Sequence, residues 1–169
     1  DVVAQKIADL ETHGSDLSAR GYFLSSGMAA ISTLVLSQLK TGEAILTQGN
    51  IYGGTTALFK NMFEPLGIET ILVNLQDAAE VERALSKNDH IKMLYFETPS
   101  NPNLECVDMG VLTKIAKKYG VLTVADNTFC TPFIQQPLQH GVDVVIHSTT
   151  KFLNGHGNSI AGALVSTDK

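Results

Sequence analysis

The chain has 169 residues, of which 44% are hydrophobic and 17% are charged, and its formal net charge is −5. This composition is that of a globular domain with a buried core, and the acidic balance argues against a nucleic-acid surface or an anionic-membrane patch. No apolar run approaches the roughly 18 to 20 residues of a membrane span, and the interspersed acids of the first residues do not suit a signal peptide.

Helical and strand patterns alternate along the sequence. In chain order they predict helix 2–11, helix 27–39, strand 43–48, helix 55–67, strand 68–74, helix 77–87, strand 91–98, helix 108–120, and strands 121–126, 142–147 and 161–166. Strands that alternate with helices of about ten residues favour an α/β fold, in which helices wrap a mostly parallel sheet. No repeat or linker divides the chain, so we predict that residues 1–169 form one domain.

Two of the predicted helices have recognisable beginnings. Ser25 or Ser26 is placed to cap the helix that opens at Gly27. Asp77 is placed to cap a later helix, and Glu80 follows at capping-box spacing. Because the chain begins within a helical pattern and stops directly after a strand pattern, we expect a fragment of a larger enzyme.

Two cysteines, Cys106 and Cys130, are too few for a disulfide framework and lack the spacing of metal ligands. The histidines are likewise spread without a ligand-like pairing, and we expect His147 to be structural. We therefore predict a soluble, reduced, cytoplasmic protein that binds no metal, no nucleic acid and no membrane.

Polar residues lie at the carboxyl ends of three of the predicted strands. They occupy 97–98, 126–128 and 147–151. In open parallel sheets, ligands bind just beyond the carboxyl ends of the strands. These residues therefore mark the predicted binding site.

Lys151 and Asp126 are the first candidates for chemistry. A lysine held near an apolar strand end is desolvated, and a neutral amine can attack a carbonyl carbon to form a Schiff base. Asp126 ends an apolar strand, where a carboxylate needs a partner such as a protonated pyridine nitrogen. Taken alone, the lysine is ordinarily a surface residue and the aspartate a helix cap or metal ligand.

Three further features point to a flat, phosphorylated ligand. The segment "SSGMAA" places backbone amides at a helix start where Gly27 allows close approach, and Ser148 and Thr150 could donate to the same anion. Tyr52 lies in a glycine-flanked loop where it could stack on a ring. Asn101 lies in the turn "ETPSNP". A capped helix, a packed tyrosine and a structural turn are the ordinary interpretations, but the combination is what proteins contribute to pyridoxal 5′-phosphate chemistry.

The chain resembles the Cys/Met-metabolism (transsulfuration) family of pyridoxal-phosphate enzymes, which includes cystathionine γ-synthase, cystathionine lyases, methionine γ-lyase and O-acetylhomoserine sulfhydrylase. The resemblance spans essentially the whole chain, through "SSGMAAI", "YGGT", "ETPSNP", "ADNTF", "QQPLQHGVDVVIHSTTK" and "NGHGNSIAG". It implies the large domain of the aspartate-aminotransferase fold type I, an amino-acid substrate with sulfide or a thiol, and a homotetramer. It also implies that further ligands come from a neighbouring subunit's N-terminal segment and from a C-terminal domain.

The resemblance implies a role for each candidate residue. Lys151 would carry the cofactor as a Schiff base and shuttle protons, Asp126 would keep the pyridine nitrogen protonated, and Tyr52 would stack on the ring and assist the leaving group. The other cofactor-binding residues would be, at the phosphate end, Ser26, Gly27, Met28, Ser148 and Thr150, and at the ring, Glu97, Asn101 and Thr128.

Two positions bear on which reaction the enzyme performs. Gly54 stands where methionine γ-lyases of the family often carry a cysteine, and Asn158 stands where lyases and the synthase more often carry an aspartate. The resemblance therefore favours γ-replacement on O-acetylhomoserine with sulfide to give homocysteine. The alternative is a γ-elimination lyase acting on methionine or cystathionine.

A non-catalytic phosphate-binding α/β domain is the alternative outside this class. Neither G-x-G-x-x-G nor G-x-x-x-x-G-K-[ST] follows any strand, which counts against it.

Overall fold

The computed structural model describes residues 1–167, so Asp168 and Lys169, the last two residues of the predicted domain, lie outside the described residues. The strands are β1 Ala19–Leu24, β2 Ala44–Thr47, β3 Glu69–Leu72, β4 Ile91–Glu97, β5 Leu122–Asp126, β6 Val144–His147 and β7 Gly162–Thr167. They form one sheet in the order β1-β7-β6-β5-β4-β2-β3. All neighbouring pairs are parallel except those made by β7, which runs antiparallel to β1 and β6. The predicted mostly parallel α/β sheet is confirmed.

The helices connect the strands over the two faces of the sheet. They are α1 Val2–Glu11, α2 Gly27–Gln38, α3 Gly53–Leu58, α4 Ala78–Lys87, α5 Met109–Lys118 and α6 Thr131–Ile134. A π-helical turn, Phe59–Phe63, and two 3-10 turns, Glu64–Leu66 and Pro137–His140, complete the helical segments of the described chain. None of the helices in residues 1–167 is long and apolar enough to cross a bilayer.

Helices cover both faces of the sheet. Because successive strand residues point to opposite faces, each central strand contributes to two cores. On one face, α2 and the π-helical turn pack against Val124 of β5 and Ile146 of β6. On the opposite face, α4 and α5 pack against Ala125, and α1 packs against Val145. We call these the α2 face and the α1 face.

Local side-chain bonds begin two of the helices where the sequence predicts. Ser26 caps α2, and its hydroxyl accepts a hydrogen bond of 3.0 Å from the Ala29 amide. Such a cap is worth about 1 kcal/mol. Asp77 caps α4, but the capping box is incomplete, because the Glu80 carboxylate accepts from the Asn74 amide at 3.3 Å instead of from Asp77.

Strand β1 is absent from the sequence prediction because Arg20 and Gly21 interrupt its apolar pattern. Gly21 is required by packing, since a Cβ there would lie 2.1 Å from the Ala4 carbonyl oxygen of α1. Helix α1 therefore lies directly against β1. Helix α6 and the turn Pro137–His140 were not predicted either, because four residues are too few to show a helical period.

Candidate active site

A pocket of about 860 Å³ opens beside the N-terminus of α2, at the carboxyl ends of β4, β5 and β6. This is where open parallel sheets bind ligands. All of the residues that the sequence analysis assigns to a cofactor line it, namely Ser26, Gly27, Met28, Tyr52, Glu97, Asn101, Asp126, Thr128, Ser148, Thr150 and Lys151. Within residues 1–167, the pocket included, no three His, Cys, Asp or Glu side chains gather as metal ligands would.

Three donors hold the Asp126 carboxylate at the end of β5. Its Oδ1 accepts hydrogen bonds from the amide of Thr128 at 3.0 Å and from the Thr128 hydroxyl at 2.5 Å. Its Oδ2 accepts from the hydroxyl of Tyr95 at 3.2 Å. The resemblance implies that Thr128 lies at the ring of the cofactor. The structure gives the hydroxyl of Thr128 a further role, since it fixes the carboxylate.

Tyr95 is a site residue that the sequence analysis missed. It is fully buried in β4, and its place in an apolar strand pattern indicates an aromatic residue of the core. Burial, together with the nearby Asp126 and Glu97 carboxylates, raises the pKa of Tyr95 well above its usual range, so the hydroxyl stays protonated and can donate. Its position two residues before Glu97 on the same strand was the available signal, because residues two apart share a face.

Glu97 fixes the backbone of two loops at the pocket. Its two oxygens accept from the Tyr52 amide at 2.9 and 3.0 Å, and Oε2 also accepts from the Asn101 amide at 3.2 Å. Burial and the Asp126 charge raise the pKa of Glu97 to about 7, although the two amides act in the opposite direction. The carboxyl thus positions Tyr52, whose side chain is half exposed in the pocket.

The N-terminus of α2 lies against the end of β6. A Cβ at Gly27 would come within 2.8 Å of the Ser148 Cβ and 3.0 Å of its Cα, so glycine permits this contact. The amides of Gly27 and Met28 occupy the first two helical positions, where no intrahelical acceptor exists. The Ser148 amide donates to the Thr128 hydroxyl at 2.8 Å. The start of α2 and the end of β6 therefore offer amide donors and a hydroxyl to an anion.

Thr150 and Lys151 differ from their expected surroundings. The hydroxyl of Thr150 lies 3.1 Å from both the Ala161 carbonyl oxygen and the Ala161 amide, so it already has backbone partners. Lys151 follows in the turn after β6, with its amide 3.1 Å from the Ser148 carbonyl oxygen. Its side chain is exposed, contrary to the expectation of a desolvated amine. Desolvation therefore requires a group that covers the lysine within the pocket.

Apolar residues that the sequence analysis did not assign line the same pocket as Lys151. Phe129 and Phe152 line the pocket and pack edge to face, with ring centroids 6.4 Å apart. Ile160 lines the same pocket and is 74% exposed. These side chains give a flat ligand an apolar surface near Lys151.

The donor set suits pyridoxal 5′-phosphate. One pocket contains a primary amine, a carboxylate held by two hydroxyls, an aromatic ring and a helix N-terminus open to an anion. Helix α2 can approach β6 because Gly27 has no Cβ, and this approach creates the candidate anion-binding site. The residues present therefore fit the group.

Comparison with known proteins gives the same result. The family described as Cys/Met metabolism PLP-dependent enzyme matches residues 1–169. The chain is 43% identical over 166 residues to an L-methionine gamma-lyase of Fusobacterium nucleatum, covering 98% of this chain and 40% of that protein. It is 44% identical over 149 residues to a cystathionine gamma-lyase of Bacillus subtilis, covering 88% and 38%.

A solved structure has the same fold. The crystal structure of metB from Corynebacterium glutamicum superposes with a TM-score of 0.91 at 36% identity, over 98% of this chain and 41% of that one. The chain spans about two fifths of the length of the curated relatives it matches. Its fold, its pocket and its match over the full sequence agree, and the chain belongs to the Cys/Met metabolism family of pyridoxal-phosphate-dependent enzymes.

Proposed function

We propose that the protein containing this chain cleaves a carbon–sulfur bond in the side chain of a sulfur amino acid, by elimination at the γ-carbon. The observation that carries the proposal is the convergence of Lys151, Asp126 and Tyr52 on one pocket beside the N-terminus of α2. The names of the two relatives, methionine and cystathionine gamma-lyase, support this choice of reaction.

In this proposal, residues of the chain bind and orient the cofactor and the substrate, and they transfer protons. When bound, pyridoxal phosphate supplies an electron-withdrawing ring that makes the substrate's α-proton acidic. Lys151 Nζ would hold the cofactor covalently and, once the substrate's amine has displaced it from the cofactor, would be free to take the α-proton and then to serve the β-carbon. Asp126, fixed by Tyr95 and Thr128, would be the partner of the ring nitrogen.

The remaining residues orient the two ends of the ligand. The amides at the start of α2 and the Ser148 hydroxyl bind the phosphate, where the helix dipole favours an anion. Tyr52, whose amide Glu97 fixes, would stack its ring on the cofactor and assist the leaving group with its hydroxyl. Phe129 and Phe152 would give the bound ligand an apolar surface in the same pocket.

A second candidate is γ-replacement on O-acetylhomoserine with sulfide. One observation favours it: a Cβ at Gly54 would lie 2.4 Å from Cε1 of Tyr52, so the tyrosine ring occupies the space of any side chain there. A lyase with cysteine at this position must hold its tyrosine elsewhere. The relatives named above are lyases, so elimination is placed first and replacement second.

The complete protein distinguishes these possibilities. Purified with pyridoxal phosphate, it should be yellow and be bleached by borohydride, and Lys151→Ala should be colourless while the exposed control Lys117→Ala keeps its colour. Production of 2-oxobutyrate from methionine or cystathionine supports elimination. Sulfide-dependent homocysteine from O-acetylhomoserine supports replacement. A Lys151→Ala variant that retains the colour would overturn the assignment of the lysine, and a colourless wild type without turnover would favour the phosphate-binding domain.

We also propose that the protein self-associates as a homotetramer and works in a reducing cytoplasm. Phe133 is 96% exposed and Ile134 is 73% exposed, which supports a protein partner for this surface. Cys106 and Cys130 are free thiols, in keeping with a reducing compartment. Light scattering of the complete protein tests the assembly, and a monomer would contradict it.

A further inference from the structure

Three buried polar residues form a cluster behind the pocket. Glu11, in the last turn of α1, places Oε1 2.6 Å from His147 Nε2 and 3.0 Å from Asn127 Nδ2. All three residues are 0% exposed. Asn127 is held further by Gln135, with its Nδ2 2.8 Å from the Gln135 carbonyl oxygen and its Oδ1 3.0 Å from Gln135 Nε2.

The cluster joins the same two strand ends that form the pocket. Asn127 follows Asp126, and His147 precedes Ser148, so two of the three cluster residues are chain neighbours of pocket residues. Consecutive residues of an extended chain point to opposite faces. Asp126 and Ser148 therefore lie on the α2 face with the pocket, while Asn127 and His147 lie toward α1.

On each face of the sheet, a separate set of hydrogen bonds thus links the ends of β5 and β6. On the α2 face, the Thr128 hydroxyl donates to Asp126 and accepts from the Ser148 amide. On the α1 face, Glu11 Oε1 is the shared acceptor for Asn127 and His147. The hydrogen bonds on the α2 face join residues that are close in sequence. Those on the α1 face involve Glu11, which lies 116 positions from Asn127.

Stability is a poor explanation for this cluster. A buried carboxylate next to a histidine is costly to desolvate, and packed apolar side chains are often as stabilising. Glu11 Oε2 and His147 Nδ1 are buried without a hydrogen-bond partner, so the desolvation is only partly compensated. An apolar core already surrounds this point through Ile7, Ala8 and Val145.

We propose that Glu11 is a positioning residue for the cofactor site, which holds the ends of β5 and β6 so that Asp126 and Ser148 keep their separation across the pocket. The inference rests on the proposed function, since it requires that this pocket binds pyridoxal phosphate. It makes α1 part of the cofactor site, although no α1 residue lines the pocket.

The test measures cofactor affinity in the complete protein, by titrating the cofactor-free form with pyridoxal phosphate and recording its absorbance. Glu11→Ala removes the acceptor, whereas Glu11→Gln keeps the shape and one oxygen. Ile7→Ala is the matched control, because Ile7 is buried one turn earlier on α1 and packs against the same face without a polar role. Thermal unfolding of each cofactor-free variant measures the loss of stability separately.

A positioning role predicts an order of affinities. Glu11→Ala should raise the dissociation constant about tenfold, as loss of an outer-shell partner does at metal sites, and Glu11→Gln should lie between it and the wild type. Ile7→Ala should lower the melting temperature but leave the dissociation constant within about twofold. If Glu11→Ala does not fold, the dissociation constant of Glu11→Gln tests the inference by the same comparison with the wild type and Ile7→Ala.

Two failures are distinguishable. If the Glu11 variants and Ile7→Ala have equal dissociation constants, Glu11 only stabilises the fold and the inference is wrong, while the proposed function stands. If the wild type does not bind pyridoxal phosphate, both are wrong.

Discussion

Glu97 carries a carboxyl group that is only 5% exposed and faces the charge of Asp126. Burial first, and Asp126 second, raise its pKa from 4.5 to about 7. Because the folded protein binds this proton more tightly than the unfolded chain, the protonated group stabilises the fold. That contribution is fully present below about pH 4.5 and is lost as the pH rises through about 7.

The size of the effect follows from the two pKa values. At 1.36 kcal/mol per pKa unit, the full contribution is about 3 kcal/mol, most of which is lost between pH 5 and pH 8. Glu97→Gln removes the titration and keeps one oxygen for the Tyr52 amide. We therefore expect the wild type to lose roughly 2 to 3 kcal/mol relative to this variant over that range.

The assay is urea unfolding of the cofactor-free complete protein at pH 5 and pH 8, followed by circular dichroism. The exposed Glu64→Gln variant is the control and should follow the wild type at both pH values. If the free energies of unfolding of the wild type and Glu97→Gln change in parallel with pH, the carboxyl group does not titrate as the structure indicates, and the reasoning fails.

Two further substitutions test the pocket by cofactor titration. Gly27→Ala places a methyl group 2.8 Å from the Ser148 Cβ, so α2 must move and the dissociation constant should rise about tenfold, whereas Gly53→Ala, whose added Cβ meets nothing within 4 Å, should not change it. Equal affinities would contradict the close contact. Tyr95→Phe removes one donor to Asp126 and should weaken binding by about 1 kcal/mol. Tyr119→Phe, which removes a hydroxyl outside the pocket, is the control, and unchanged affinity of Tyr95→Phe would show that Thr128 alone holds the carboxylate.

Local signals in the sequence were enough to predict the framework of the fold. The cap Ser26, the cap Asp77 and the apolar strand 121–126 each act over a few residues, so they appear in the sequence. Strand β1 could not be predicted, because Gly21 is selected by contact with α1 and not by strand propensity. The reversed direction of β7 is likewise set by its partners, β1 and β6.

The site was predictable where it depends on strand ends and not where it depends on bonds between distant elements. The resemblance to known enzymes led to residues that all line one pocket. It did not lead to Tyr95, which reads as core, or to Glu11, whose partner His147 is 136 positions away. No periodicity in a single sequence reports a hydrogen bond of that separation.

The alternation of side chains along a strand makes the site sensitive to register. A slip of β5 by one residue would turn Asp126 to the α1 face and bring Asn127 into the pocket, replacing a carboxylate with a neutral amide. The Thr128 bond to the Ser148 amide resists this slip from one face, and the Glu11 bonds resist it from the other. An enzyme that needs a charged partner for a ring nitrogen therefore has a reason to retain a buried carboxylate on the opposite side of its sheet.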